Sequence, residues 1–176
     1  ALIVSRLGSD RALSRREIEK LALMAGPGGH LTYEDVSLAL GDSASLAITD
    51  IATAAAEGRV DALESAVSKA WSEQQASVMV LRGCQGYFKQ MLAAARAVSN
   101  GSQPGQAVKS LRPPLHFRLQ DRLAAQIRYW SPDAILDAVN RLQDAELAVK
   151  SGAADDETQC AQTLLGICLR GQALRR

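Results

Sequence analysis

Apolar residues recur at spacings of three and four positions along most of the chain, a pattern typical of amphipathic helices. No segment alternates apolar and polar residues with the β-branched or aromatic enrichment of a strand. We therefore predict an all-α fold. The helices form two groups: a three-helix piece over residues 1–41 and a bundle of five or six helices over residues 42–176, joined by the short segment "GDSAS".

Two capping boxes predict helix starts in the first piece, "SRRE" at 14–17 and "TYED" at 32–35. In the first box, the Ser14 hydroxyl and the Glu17 carboxylate would accept hydrogen bonds from free backbone amides. The glycine-rich "GPGG" at 26–29 is expected to end the first of these helices, and Gly41 the second. The inward face predicted for the first helix consists of Ile18, Leu21, Ala22 and Ala25.

From residue 42 onward, the pattern first predicts a helical hairpin that turns at "EGRVD". A long helix follows from Ser77 to Asn100, then a short helix or turn over 104–111. Ser131 as cap and Pro132 as first helical residue predict a helix that runs to Lys150. A last helix follows the "SGAADDE" loop, and its tail "GQALRR" is expected to fray.

The positions predicted to face the core of the bundle share helical spacing: Ile48, Ile51, Ala52, Ala55, Val60, Leu63, Val67, Ala70, Trp71, Leu81, Cys84, Phe88, Met91, Ala95, Val98, Leu115, Leu119, Leu123, Ile127, Trp130, Ile135, Val139, Leu142, Val149, Ala161, Leu164, Leu165 and Cys168. Five of these positions belong to "LRPPLHFRLQDRLAAQIRYW" at 111–130, which is basic and rich in aromatics and could equally be a nucleic-acid contact. Because its leucines, isoleucine and tryptophan share one helical face, we expect that face to be core and the prolines to fix the start of its helix.

Composition narrows the class of protein. The three cysteines, Cys84, Cys160 and Cys168, lie within apolar helical patterns without the close spacing of metal or redox sites, so we interpret them as reduced core thiols. No apolar run is long enough to cross a bilayer and no signal peptide is present, so we expect a cytoplasmic protein. The apolar opening "ALIVSRLG" indicates a fragment of a longer chain.

Charge is segregated along the chain although the net charge is only +1. Residues 82–128 carry a net +7, whereas residues 42–81 carry −4 and residues 129–159 carry −5. Two hypotheses follow: a basic strip that binds phosphates or an acidic partner, or a solvated face partly neutralised by acidic helices packed beside it. The candidate contact residues for a partner subunit or DNA are Arg82, Lys89, Arg96, Arg112, Arg118 and Arg122.

The sequence contains no phosphate-binding loop, dinucleotide fingerprint, zinc-protease motif or nucleophile elbow. With two histidines, His30 and His116, the chain has little material for general-base catalysis, and we predict no catalytic residue, no metal site and no cofactor. Glu146 occupies an apolar helical stripe. We expect its carboxylate to pair with Lys150 one turn on or with an arginine of a neighbouring helix.

Several segments, in order along the chain, resemble the C-terminal part of the delta subunits of bacterial DNA polymerase III, the clamp-loader subunits. They are "LGSDRALSRREIEKLALMAG", "LTYEDVSLALGDSASLAITDIATAAAEGRVDAL", "LRPPLHF" and "IRYWSPDAILDAVNRLQDAELAVKSG". The resemblance covers nearly the whole chain, and its more specific parts are "SRREIEKL", "RPP" and "AELAVKSG".

The resemblance implies that residues 1–41 are the helices of an AAA+ lid, truncated at the N-terminus, and that residues 42–176 form the collar. The collar would join gamma/tau and delta-prime type subunits in a ring of five, with helices around 77–100 and 132–170 at the interfaces. The domain that opens the sliding clamp would precede residue 1. Arg16 matches a nucleotide-sensing position of AAA+ lids, here a remnant because delta subunits are not ATPases.

Three functions thus compete: a non-catalytic assembly module, a helical nucleic-acid-binding module that uses residues 82–128, and an enzyme of unrecognised type. The last would need a pocket with converging polar groups, and the sequence nominates none. DNA is a candidate contact within the assembled loader, whereas a membrane is not expected as a partner.

Overall fold

The computed structural model describes residues 11–26, 28–30, 47–153 and 155–175, and all regular secondary structure within these ranges is helical. This confirms the all-α prediction for the described residues. The helices are α1 (Arg11–Ala25), α2 (47–57), α3 (Val60–Ser72), α4 (Ser77–Ser99), α5 (Pro104–Lys109), α6 (Phe117–Gln126), α7 (Pro132–Lys150) and α8 (Asp156–Leu174). The chain divides into two compact units, residues 1–46 and 47–176.

In the first unit, α1 starts earlier than predicted. It begins at Arg11, so Ser14 is a helical residue and its prediction as an N-terminal cap is wrong. Arg11, Ala12 and Leu13 are good helix formers, which explains the extension. The helix ends at Ala25 as predicted, where Gly26 adopts a φ of +66°. On the predicted inward face Leu21 is buried, but Ile18 is 48% exposed.

The other predictions for this unit lie outside the described residues. They are the "TYED" capping box, the short helix closed by Gly41 and the domain boundary after residue 41.

In the second unit, α2 and α3 are joined by the predicted turn, in which Gly58 has a φ of +66°. The turn lies against the end of α8: a Cβ atom on Gly58 would come within 2.2 Å of the Gln172 backbone nitrogen, and one on Gly171 within 2.8 Å of the Ala55 carbonyl oxygen. Glycine at both positions therefore lets the two backbones touch. The expectation that this tail frays is therefore wrong. α8 continues to Leu174, because the contact with the turn holds its last residues.

The long helix α4 is the centre of the bundle. It packs most extensively against α7 and also contacts α5 and α8. Its bounds match the prediction to within one residue, and Cys84, Phe88 and Met91 are fully buried. The Phe88 ring meets the Trp130 ring edge to face at 5.7 Å between centroids. This aromatic pair fixes the segment before α7 to the middle of α4.

The segment 111–130 folds as core, although its helix is shorter than the predicted stripe. α6 spans only Phe117–Gln126, so Leu115 precedes it and Ile127 and Trp130 follow it. All three are nevertheless buried. The Trp130 indole nitrogen donates a hydrogen bond to the Ala56 carbonyl oxygen at 2.9 Å, which holds the chain in a turn instead of a further helical turn.

The predicted cap of α7 is confirmed. The Ala134 amide donates to the Ser131 hydroxyl at 3.2 Å, and Pro132 is the first helical residue. In α8, the predicted inward orientation of Leu165 is wrong, because its side chain is 38% exposed. The inward stripe instead consists of Cys160, Leu164, Ile167, Cys168 and Gly171.

All three cysteines are free and buried, which confirms their interpretation as core thiols. Burial raises the pKa of the Cys160 thiol to about 12 and that of Cys168 to about 11. The pKa of Cys84 is raised further by the same cause. None of the described helices combines the length and apolarity needed to span a bilayer.

Candidate interaction surface

One side of α4 is exposed along its whole length, and its residues follow a heptad-like spacing of three and four. Small or apolar side chains alternate there with basic ones. We call this set the outer stripe: Met79, Arg82, Gly86, Lys89, Ala93 and Arg96. The sequence identified its three basic members but missed the other three, which the spacing could have found.

At one end of the outer stripe, Arg82 is paired within the bundle. Its Nε donates to Glu146 Oε1 at 2.8 Å, Gln85 Nε2 donates to Glu146 Oε2 at 2.7 Å, and Lys150 Nζ also donates to this carboxylate. The expected pairing of Glu146 with Lys150 and with an arginine of a neighbouring helix is therefore confirmed. Hydrogen bonds from Lys150, Arg82 and Gln85 lower the pKa of Glu146 to about 2.

Arg122 is neutralised in a second ion pair. Its Nε and one terminal nitrogen donate to the two Glu57 carboxylate oxygens at 2.8 and 2.9 Å, a bidentate geometry. Arg59 lies 2.8 Å from the same carboxylate, and Gln126 donates to it at 3.3 Å. Burial raises the pKa of Glu57, but the hydrogen bond and positive charge of Arg122 outweigh it and leave the pKa below its usual value. The acidic helices thus neutralise part of the basic segment.

Sequence reasoning missed the buried polar partners of these ion pairs. Glu57 is the last residue of α2. Gln126 is only 1% exposed, and its amide oxygen accepts a hydrogen bond from the Tyr87 hydroxyl at 2.7 Å. Gln85 is likewise buried. Each of these glutamines lies among apolar positions of its helix, the same signal that singled out Glu146.

The other cations of the basic segment point outward. Within the described part of the chain they make no ion pair, and all are exposed: Lys89, Arg96, Lys109, Arg112, Arg118 and Arg128. The Arg112 guanidinium donates to the Leu111 carbonyl at 2.9 Å. The Arg118 guanidinium carbon lies 5.6 Å from the centre of the Phe117 ring, which is 53% exposed. Of the six predicted contact residues, four are thus free to meet a partner.

Beside the outer stripe, an open groove of about 620 Å³ is lined by residues of α4, α5 and the segment 110–119 and by Thr49 of α2. On the α4 side its lining residues are Gly83, Gly86, Tyr87, Lys89, Gln90, Ala93 and Ala97. Arg112 lines the facing side, and none of the described residues that line the groove is acidic. We call this cavity the basic groove. The Gln90 amide, which donates to the Pro113 carbonyl at 3.3 Å, ties its two sides together.

The remaining candidate residues are Arg16 and His116. Arg16 lies in α1, but the structure does not describe its side chain. His116 is the N-terminal cap of α6, where its Nδ1 accepts from the Arg118 amide at 3.4 Å. Across the described ranges, no three His, Cys, Asp or Glu side chains are grouped as metal ligands would be.

The comparisons with known proteins assign no family. No protein-family model matches the chain, and no curated protein matches it.

Proposed function

We propose that the chain is a non-catalytic assembly module of a bacterial DNA polymerase III clamp loader, the lid and collar part of a delta subunit. In this role it acts in the cytoplasm, binds gamma/tau and delta-prime type subunits through its bundle, and needs no cofactor. The sliding clamp would be bound by a domain that precedes residue 1. The ordered run of family-like segments from "SRREIEKL" to "AELAVKSG" carries the proposal.

The geometry of the bundle supports an assembly role. Its internal ion pairs, Arg82 with Glu146 and Arg122 with Glu57, join different helices. One side of α4, the outer stripe, is exposed. That side combines small residues with unpaired basic ones. Arginines and partly apolar surfaces tend to dominate the free energy of protein association.

The test is association with the other loader subunits from the same organism, measured by gel filtration and native mass spectrometry. The expected result is a stable complex at low and at moderate salt. If the chain fails to join any of the subunits at either salt concentration, the proposal is wrong.

A nucleic-acid-binding module is the second candidate, because six exposed cations of residues 82–128 lack ion-pair partners among the described residues. Cations that neutralise phosphates make binding steeply dependent on salt. A salt titration of fluorescent primed DNA separates the two functions. Micromolar binding that is lost in the Lys89→Glu/Arg96→Glu variant would favour DNA. Arg82 is unsuited to this test, since its reversal would also disturb Glu146.

A further inference from the structure

We propose that Asn100 is a site of covalent modification, at which spontaneous deamidation converts the asparagine to aspartate or isoaspartate. The inference goes beyond the proposed assembly function and does not depend on it. Three features carry it: the glycine that follows Asn100, the exposure of the turn that ends α4, and the contrast with Asn140 inside α7.

The residue after Asn100 favours the reaction. It is Gly101, which has no Cβ atom to crowd the approach of its backbone nitrogen to the asparagine side chain. In the reaction this nitrogen loses its proton and forms a bond to the side-chain carbonyl carbon of Asn100. The bond from that carbon to the amide nitrogen breaks, ammonia leaves, and a succinimide ring results. Water then opens the ring at either carbonyl group, which gives aspartate or isoaspartate.

The turn after α4 is open to water. Asn100, Gly101 and Ser102 are all exposed. A Cβ atom on Gly101 would have no neighbour within 4 Å in the described part of the chain. Gly101 has a φ of +97°, a conformation that glycine adopts more readily than other residues. Water can therefore reach both the asparagine amide and the succinimide that forms from it.

Two backbone hydrogen bonds restrain the turn. The Gly101 amide donates to the Val98 carbonyl oxygen at 2.9 Å, and the Ser102 amide donates to the Ala97 carbonyl oxygen at 3.0 Å, the Schellman arrangement of a helix end. The ψ of Asn100 is 14°, which places the Gly101 nitrogen near the Asn100 backbone nitrogen instead of near its Cβ atom. The last turn of α4 must therefore open before the ring can close, and helix ends open at a low cost in free energy.

Asn140 is a matched control within the same chain. Asn100 and Asn140 are its two asparagines, and both are exposed. Asn140, however, lies in the middle of α7 (Pro132–Lys150) and is followed by Arg141. Opening the middle of a helix breaks hydrogen bonds on both sides of the residue, and the arginine Cβ atom crowds the attacking nitrogen. The two sites thus differ in their backbone setting and not in exposure.

The modification changes the exposed end of α4. Either product adds one negative charge at the last turn, where the helix dipole disfavours negative charge. The net charge of residues 82–128 falls by one, from +7 to +6, and the change lies one turn from the exposed Arg96 of the outer stripe. Isoaspartate also lengthens the backbone by one methylene group, so the hydrogen bonds of the turn lose their register.

The test is incubation of the full folded chain at neutral and at mildly alkaline pH, followed by brief tryptic digestion and mass spectrometry. Cleavage after Arg96 and Lys109 releases Asn100 in one peptide, and cleavage after Arg128 and Arg141 releases Asn140 in another. We expect the first peptide to gain the mass difference between a hydroxyl and an amino group, about ten-fold or more faster than the second. The rate should rise with pH, because the attacking nitrogen must lose its proton.

Two further measurements test the mechanism. Asn100→Gln keeps Gly101 in the turn but requires a larger ring, so its peptide should stay unmodified. The free peptide 97–109 lacks the hydrogen bonds of the turn and should react faster than the folded chain. If Asn100 stays intact in the folded chain while the free peptide reacts, the turn protects the asparagine and the proposal is wrong. Equal rates at Asn100 and Asn140 would also overturn it.

Discussion

Gly83 and Gly86 lie one turn apart on α4 but have different surroundings. A Cβ atom on Gly83 would come within 2.2 Å of Ile48 Cγ2, whereas one on Gly86 would have no neighbour within 4 Å in the described part of the chain. The first glycine lets α4 pack closely against α2, and the second lies on the exposed side of α4. Sequence spacing alone does not distinguish the two positions.

We expect opposite effects of alanine at these glycines. Gly86→Ala should raise the free energy of unfolding by up to about 1 kcal/mol, because alanine favours the helix more than glycine does. Gly83→Ala should lower it by about 1–3 kcal/mol, because the added methyl group overpacks the contact with the β-branched Ile48. Urea denaturation of the two variants measures both values. Equal stabilisation by both changes would contradict the close contact with Ile48.

Glu146 should make stability depend on pH in the acid range. Its pKa in the folded chain is about 2, lowered from an ordinary value of 4.5, so its favourable contribution is complete above about pH 4.5 and is lost as the pH falls toward 2. The difference in melting temperature between the wild type and Glu146→Gln should therefore shrink as the pH falls from about 4.5 toward 2. Asp144→Asn is the control, since Asp144 is exposed on the same helix and makes no ion pair within the described residues. A constant difference across this range would contradict the assignment.

At the scale of elements, local signals predicted several helix ends at which a side chain or a glycine acts on its own backbone. The start of α7 at Ser131 and Pro132 and the end of α4 before "NGSQPG" are of this kind. Local signals predicted the wrong helix end for α6 and α8, where a contact with a distant segment sets the length of the helix. α6 stops at Gln126 because Trp130 is held by Ala56, and α8 continues to Leu174 because Gly171 packs on α2.

Loss of the α7 cap should destabilise the bundle measurably. Ser131→Ala removes the acceptor of the Ala134 amide and should lower the free energy of unfolding by about 1 kcal/mol. Ser102→Ala, at an exposed loop residue, should have little effect. Chemical denaturation compares the two. A Ser131→Ala chain as stable as the Ser102→Ala chain would show that the hydroxyl contributes nothing as a cap.

At the scale of the whole molecule, the core cluster among the described residues runs from Ile51 to Cys168, all of them in the second unit. The ion pairs of Glu57 and Glu146 connect helices of that same unit. A chain that starts at residue 47 contains every one of these contacts. The bundle therefore has the means to fold without the residues before it.

We expect the fragment 47–176 to be helical and to unfold in one cooperative transition. The measurement is circular dichroism during heating and in urea, with the full chain as the control. A fragment that lacks a cooperative transition would show that residues 1–46 are needed for the bundle to fold.

The sequence by itself determined the helical class, most helix bounds of the bundle and most of its core, because apolar periodicity and caps act within one helix. It also determined that Glu146 needs a cationic partner. Only the tertiary structure decided which cations are neutralised, since the pairs of Arg82 with Glu146 and of Arg122 with Glu57 join residues more than sixty positions apart. For the same reason the basic groove could not be predicted: its lining residues come from separate segments, whose proximity depends on the packing of the bundle.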